Sequence, residues 1–473
     1  TNLDKLRSVF PECVSEGKLD IDKLLSLCGE YIDNDFEKYK FEWKGKAECL
    51  RLAQKRSTGT LRPCPEESVD WDTTRNLYIE GDNLEVLKLL QTAYYRKVKM
   101  IYIDPPYNTG NDFVYADDFA DPMARYKEVT QQTTKSNPET MGRYHTNWLN
   151  MMYPRLRLAA NLLRDDGVIF ISIDDVEIDN LKKLCNEIFG EENFVAQFIW
   201  QSRQNKDNRN ITGVSIDHEY VVCYTKQFGH RVFRGTDRKT EQYKNPDNDP
   251  RGPWTSANMV GLATADARPN LHYDLINPAD GRNYGCPEKG WRYDRNTMNR
   301  LIQEGRIIWP DNPDGRPRKK SFLNELSDNL PGFSSIFSTG VYTNTATKEI
   351  GGLFNRYLFD FPKPVEIIKQ LISQVSNTDD TILDFFSGSA TTAHAVMQLN
   401  AEDGGNRRFI LVQIPELCDE KSEAYKAGYK NICEIGKERI RRAGKKILEE
   451  HIQVTMDEDK SLSLIHISEP TRR

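Results

Sequence analysis

The stretch IYIDPPYNTG, Ile101–Gly110, decides the fold. The run VKMIYI is apolar and rich in β-branched residues, which suits a buried strand. Pro105 and Pro106 have no N–H for a sheet ladder, so the strand must stop at Asp104. Each residue there has a chemical use. Asp104 is an acceptor at a strand tip. The two prolines stiffen the chain and leave carbonyls with no competing donors. Tyr107 offers a flat face for stacking. Together they are complementary to a heteroaromatic amine, with acceptors for its protons and a ring for its π-face. A solvent turn is the plainer reading. Yet four named residues in fixed order arise by chance in roughly one chain of this length in a few hundred.

Working outward, helix and strand patterns alternate from Asn76 to about Lys226. Asn83–Tyr95 is amphipathic behind Gly81-Asp82, and NWLNMMYPRLRLAANLL has helical spacing, with Pro154 predicting a bend. GVIFISID reads as a strand, VEIDNLKKLCNEIFG as a helix and EYVVCYTK as a strand. Such alternation predicts crossovers and a parallel, doubly wound α/β sheet. From Gln227 to about Thr347 the rhythm gives way to Gly, Pro, Asn, Asp and Arg with isolated aromatics, including Trp254, Tyr273, Tyr284, Trp291, Tyr293 and Trp309. Alternation then resumes, so one sheet is interrupted by an inserted, loop-rich module.

A second strand end lies in LDFFSGSATTAHAV, Leu383–Val396. A strand closes at Asp384, Phe385 and Phe386, turns through Ser387, Gly388 and Ser389, and enters a helix near Thr391. In open α/β sheets ligands sit just beyond the carboxyl ends of strands. Gly388 and the small residues after it let a ligand approach the backbone, and the first turn's N–H groups suit an anion. A purely structural turn fits this loop as well as a cofactor site.

The chain of 473 residues has a formal net charge of −6. Lys and Arg outnumber Asp and Glu by 21 to 15 between Trp200 and Lys320, leaving the remainder at −12. That asymmetry is a weak footprint of a polyanion-facing surface. The nine cysteines are scattered without a Cys-x-x-Cys pair, so neither a metal site nor a disulfide framework is expected, and a reducing, cytoplasmic setting is. No apolar run reaches the length of a membrane span, so no membrane association is expected. The chain opens on Thr1 rather than Met, which suggests a trimmed start.

Taken in order, IDPPYNTG and DFFSGSATTAHAV resemble the amino-directed DNA methyltransferases of the β order, in which the catalytic motif precedes the cofactor loop. EGDNLEVLKLL, HTNWLNMMYPRLRLAANLLRDDGVIFISIDD, DHEYVVCYTK, FPKPVEIIKQL and AYKAGYKNICEIGKERIRRAGKKI are similar to the modification (Mod) subunits of type III restriction-modification systems, as is KFEWKGKAECLRLAQKRSTGTLRP. The resemblance runs to about Lys460. It implies a Rossmann-like methyltransferase sheet of permuted motif order with an inserted target recognition domain. The expected divisions are a helical region and linker at 1–70 and the catalytic domain at 71–226 and 348–419. Recognition falls to 227–347 and a charged helix to 420–461. Residues 462–473, ending LSLIHISEPTRR, are similar to a translated sequencing adaptor and carry no expected function; the natural protein is expected to continue past Lys460.

The resemblance also implies roles. Asp104 and the Pro105 carbonyl would accept from an adenine amine, Pro106 would fix the turn, and Tyr107 would stack on the base. S-adenosylmethionine would be held by Asp82, Lys363, Pro364, Asp384, Phe386, Gly388, Ser389 and Gln413. Gln413 stands where many relatives carry an acid for the ribose hydroxyls, and Gly388-Ser389-Ala390 where many have Gly-Ser-Gly. Double-stranded DNA, a second copy of the chain and a helicase-nuclease (Res) subunit are the implied partners. Two other readings stay open. Cytosine has a similar amine, although Asp104 at the motif's first position tilts toward adenine. A targeting subunit that no longer methylates would share the module without needing a cofactor.

Overall fold

The computed structural model describes residues 14–15, 18–19, 24, 41–109, 138–207, 212–229, 231–238, 240–312, 314–326, 330–458 and 471–472. The chain forms two compact units, one of residues 1–55 with 114–154 and one of 56–113 with 155–473. In the first, helix α1 (Lys46–Gln54) begins after Gly45, whose φ of 102° favours glycine. The Asn150 side chain is its tie point, accepting from Trp43 Nε1 at 2.7 Å and from Cys49 Sγ at 3.2 Å. Most of the expected helical region before residue 41 and nearly all of the 462–473 tail lie outside the described residues.

The first unit also holds the antiparallel pair Val14–Ser15 and Lys18–Leu19, and the second carries most of the other elements. In chain order they open with strand β1 (Leu77–Glu80), helix α2 (Asn83–Tyr94), β2 (Val98–Ile103), helix α3 (Pro138–Leu162), which enters from the first unit, and β3 (Leu163–Ile173). Next come α4 (Ile178–Phe189), β4 (Phe194–Gln201), β5 (His218–Thr225), β6 (Trp254–Ala257), α5 (Arg295–Gln303), β7 (Ile307–Ile308) and β8 (Arg318–Phe322). The chain closes with β9 (Ile336–Phe337), α6 (Thr343–Phe354), α7 (Val365–Val375), β10 (Thr381–Asp384), α8 (Thr391–Asp403), β11 (Arg408–Gln413), α9 (Glu423–Lys426), α10 (Ile432–Glu458) and β12 (Thr471–Arg472).

Nine strands form one sheet in the order β9-β4-β5-β3-β2-β10-β11-β1-β12. Every pairing is parallel except those of β5, which runs against both β3 and β4. EYVVCYTK is thus the antiparallel member of an otherwise parallel sheet. All six residues of β2 are buried, as a strand covered on both faces requires. The core over it is continuous, with Met100, Tyr102, Phe170, Ile368, Leu371, Ala393, Val396, Phe409 and Leu411 among its members.

Helix α3 carries Pro154 inside it and continues to Leu162. One helix start differs from its sequence expectation. The C-terminal helix starts at Ile432 rather than near Glu420, because Gly428 (φ 99°) breaks the backbone between α9 and α10. In the loop-rich segment, β6, β8 and β7 form a small antiparallel sheet. It has its own core of Met259, Tyr273, Leu275, Trp291, Met298, Leu301 and Ile307. Of the six aromatics singled out in the sequence, Tyr273 and Trp291 are therefore core residues, with Tyr293 and Trp309 packed partly against them.

Candidate active site

The permutation of the chain brings the two unusual strand ends together. Strand β2 pairs in parallel with β10, Met100 opposite Ile382 and Ile101 opposite Leu383. Neighbouring strands lie about 5 Å apart, so Asp104 and the Phe385–Ser389 turn leave the sheet side by side. The next strand along, β11, ends at Gln413 beside β10, and β1 ends at Glu80 beside it. Asp82, Asp104, the 384–389 loop and Gln413 all stand at one edge of the sheet.

Asp104 sits in a charged cluster built from three separate elements. Its Oδ2 is 3.0 Å from Lys363 Nζ, and the same ammonium is 3.3 Å from Glu219 Oε2 on β5. The Tyr107 hydroxyl donates to that Glu219 oxygen at 3.0 Å, and the ammonium lies 4.8 Å from the centre of the Tyr107 ring. Asp104 Oδ1 is buried and has no hydrogen-bond partner among the described residues. An unpaired buried acceptor costs about 1–3 kcal/mol, so its retention at a strand tip marks a place where a donor is to arrive. Burial raises the Asp104 carboxyl above its ordinary value, while the Lys363 charge pulls it down. Burial also works against the charge on Lys363, but Asp104 and Glu219 outweigh it and hold the ammonium above its usual range.

After Tyr107 the backbone turns through Asn108 at φ 62°, a left-handed conformation that Asn tolerates. The buried Asn108 amide donates to Glu177 Oε1 at 2.6 Å, which fastens the turn to the start of α4. Pro105 is buried and Pro106 half-buried.

The second strand end is shaped from behind. Gly388 has φ +49°, and a Cβ there would come 3.4 Å from the Phe359 ring. Its N–H donates to Gln413 Oε1 at 2.7 Å, and the Gln413 amide nitrogen donates to the Ile414 carbonyl at 3.2 Å. Ser389 Oγ and Thr391 Oγ1 each accept from Arg439 Nη1 at 2.7 Å. Helix α10 approaches this closely because of Gly436, where a Cβ would stand 2.7 Å from Tyr78 Oη and 3.4 Å from the Gly388 carbonyl oxygen. Asp82 caps α2 by accepting from the Leu84 and Glu85 N–H groups at 2.9 and 3.2 Å, with Arg155 Nη2 3.3 Å from its other oxygen. The Asn83 amide donates to the Phe385 carbonyl at 2.7 Å, which ties the β1 end to the loop.

Residues 98–443 match the family model described as DNA methylase. The type III restriction-modification enzyme StyLTI Mod subunit of Salmonella typhimurium is 35% identical over 92% of this chain and 68% of its own. The EcoP15I Mod subunit of Escherichia coli is 32% identical over 93% and 75%. The chain belongs to the DNA methylase family, among the type III Mod subunits. The solved M1.HpyAVI–SAM complex is 14% identical with a TM-score of 0.32, covering 77% of this chain and 98% of that one.

In the methylase the residues present fit a donor that carries both an anionic and a polar end. Ser387 Oγ is buried without a hydrogen-bond partner among the described residues, beside a glycine turn that leaves the backbone open. Phe386, Gly388, Ser389 and Gln413 border that turn, and Asp82 precedes Asn83, whose amide reaches the Phe385 carbonyl. Lys363 does not: it belongs with Asp104, and Pro364 is the N-cap of α7 just behind it. Gln413 is turned toward Gly388 N–H, so in this geometry it braces the loop. Glu219, Asn108, Glu177 and Arg439 went unnoticed in the sequence. Glu219 had a signal, an acid near the start of the apolar strand HEYVVCYT. Arg439 had none, since a buried arginine in a charged helix reads as a solvated one.

Asp384 is 3% exposed and accepts from the Phe386 N–H at 3.0 Å and the Thr392 hydroxyl at 2.5 Å. Burial, with the Asp104 charge adding to it, lifts its carboxyl to about 7 against those two hydrogen bonds. The folded protein therefore keeps a proton that the unfolded chain releases near 3.8. Through this group stability is greatest below that value and falls as pH rises toward about 7. Asp384→Asn is expected to flatten that fall. Urea midpoints at about pH 5 and pH 8 will show it as a smaller difference in the variant. An equal loss in both proteins would contradict it.

Proposed function

We propose that this methylase is the modification subunit of a type III system. It transfers a methyl group from S-adenosylmethionine to the exocyclic N6 amine of adenine in duplex DNA. The observation that carries the proposal is the pairing of β2 with β10. It sets the unpartnered Asp104 oxygen beside the open Gly388 turn at one sheet edge. When bound, the donor supplies an electrophilic methyl on sulfur. The chain's own residues do the rest. Adenine's amine is a poor nucleophile because its lone pair is delocalised into the ring. Asp104 Oδ1 and the Pro105 carbonyl accept its two protons and favour the pyramidal form that attacks, an electrostatic contribution aimed at the transition state. Tyr107 stacks on the base, and Pro106 fixes the distance between ring and acceptors. Holding the nitrogen in line with the methyl provides a large part of the acceleration. The base must leave the duplex to reach this edge.

Residues 82, 384, 386, 388, 389 and 413 hold the donor, with Asp82 and Asp384 acting largely through the helix cap and the loop they order. Residues 227–347 read the target. Their net positive stretch includes Lys320 over the Trp254 ring and Arg251 and Arg306 over Phe322, each also paired with neighbouring carboxylates. The protein acts as a homodimer and recruits a Res helicase-nuclease, which supplies the cleavage.

The test is transfer of label from methyl-tritiated S-adenosylmethionine to duplex DNA, followed by nucleoside separation. The expected product is N6-methyladenine. Label in cytosine would overturn the base, and donor binding without any transfer to varied DNA would favour a targeting subunit.

A further inference from the structure

Lys363 and Glu219 raise a question that methyl transfer alone leaves open. A buried lysine between two carboxylates is costly to assemble, and breaking such a group by removing one member leaves an uncompensated charge. Three elements of the fold contribute: the end of β2 with Asp104, the start of β5 with Glu219, and the segment before α7 with Lys363. The arrangement divides the Asp104 carboxylate. Oδ2 is held by the ammonium, and Oδ1 is left buried and free to accept. Glu219 holds the other side of the ammonium and the Tyr107 hydroxyl with one oxygen, so the ring and the acid are fixed to a common anchor.

We infer that Lys363 and Glu219 are positioning residues for the methyl-transfer reaction, a brace that keeps Asp104 ionised and aims its free oxygen and the Tyr107 ring at the target base. The inference rests on the methylase reading above and assigns Lys363 to the base side of the cleft, away from the donor.

Ionised, Asp104 offers only acceptors to the amine, whereas the protonated carboxyl can turn an O–H toward the place where the substrate's N–H must go. The charged and titratable groups facing Asp104 are Lys363, Glu219, Tyr107, Tyr102 on its own strand and Asp384 on β10. Of these only Lys363 is cationic. Burial, and then the Glu219 charge, push Asp104 toward neutrality, while Lys363 and the Tyr107 hydroxyl oppose them. Tyr102 is itself satisfied by Ser172 at 2.9 Å.

This gives shifts of opposite sign for two substitutions in one cluster. The rate of single-turnover methyl transfer should fall on the acid side as Asp104 takes up a proton. Lys363→Met removes the cation, so that acid limb moves to higher pH, by about one unit or more. Glu219→Gln removes a negative neighbour, so the limb moves to lower pH, although the rate on the plateau drops because Tyr107 and Lys363 lose their shared anchor. Lys363→Arg keeps a cation and keeps the limb within a few tenths of a unit of wild type. Donor affinity, measured by calorimetry, stays within about threefold of wild type in all three, which also reports that they are folded.

Unmoved acid limbs in both Lys363→Met and Glu219→Gln would overturn the inference. So would a limb left in place with donor affinity weakened about tenfold or more, which would return Lys363 to the donor site. Faster transfer with tighter DNA binding in Lys363→Met would show the ammonium to be a plug that the base displaces. Failure of the methylase reading looks different, since the wild-type protein would then transfer nothing to DNA at any pH.

Discussion

Asp104→Ala should lower single-turnover methyl transfer by about 10³-fold while donor affinity stays within about threefold of wild type. The size follows from what is removed. Asp104 Oδ1 is the buried acceptor without a partner at the β2 end, and it meets the amine only as the base arrives. A group whose interaction strengthens toward the transition state shows its loss in the chemical step rather than in binding. The substitution also strands the Lys363 ammonium against Glu219 alone, which adds to the loss. Asp104→Asn is the sharper form. It preserves volume and one acceptor oxygen, but its NH₂ must face either the Lys363 ammonium or the amine, so full wild-type activity in Asn would contradict the assigned role. Quenched-flow transfer to a short duplex, with calorimetry for the donor, measures both quantities.

The second large effect is expected from a residue that touches neither reactant. Arg439→Met should weaken donor binding by about tenfold or more with little change in thermal stability. Arg439 is fully buried on α10, and burial lowers its guanidinium to about 10. Among the described residues its close contacts are with the hydroxyls of Ser389 and Thr391, and the nearest carboxylate oxygen, on Glu349, is 3.9 Å away. A buried cation so weakly paired contributes little net stability, and an apolar side chain of similar length relieves its desolvation. What the variant loses is the clamp on the loop between Gly388 and α8. Released Ser389 and Thr391 hydroxyls would let the turn relax away from the geometry the donor needs. Unchanged donor affinity with a large fall in melting temperature would show that Arg439 serves the core instead.

The parts of this protein that were legible in the sequence are those where backbone chemistry forces the outcome. Two prolines must end a strand, and they do so after Ile103. The permuted order of the motifs could be matched to a family, and the sheet pairs β2 with β10 accordingly. The loop-rich segment announced itself by composition, and its small separate core explains why Trp291 and Tyr273 occur there without facing solvent. What stayed hidden depends on tertiary distance. Lys363 lies 259 positions after Asp104 in the numbering, and only the sheet order brings it to 3.0 Å. Gln413 reads in sequence as standing where relatives carry an acid, and the bond its amide oxygen accepts from Gly388 N–H could not be read there. The direction of β5 was hidden too, because alternation of helix and strand does not reveal one antiparallel member.

The most direct test of the account is a crystal structure of the protein with a duplex carrying its target and the unreactive donor analogue sinefungin. The account predicts a flipped adenine stacked on Tyr107, its N6 about 3 Å from Asp104 Oδ1 and facing the analogue across the β2 and β10 strand ends. An analogue bound at another edge of the sheet, or a target base lodged away from Asp104, would contradict it.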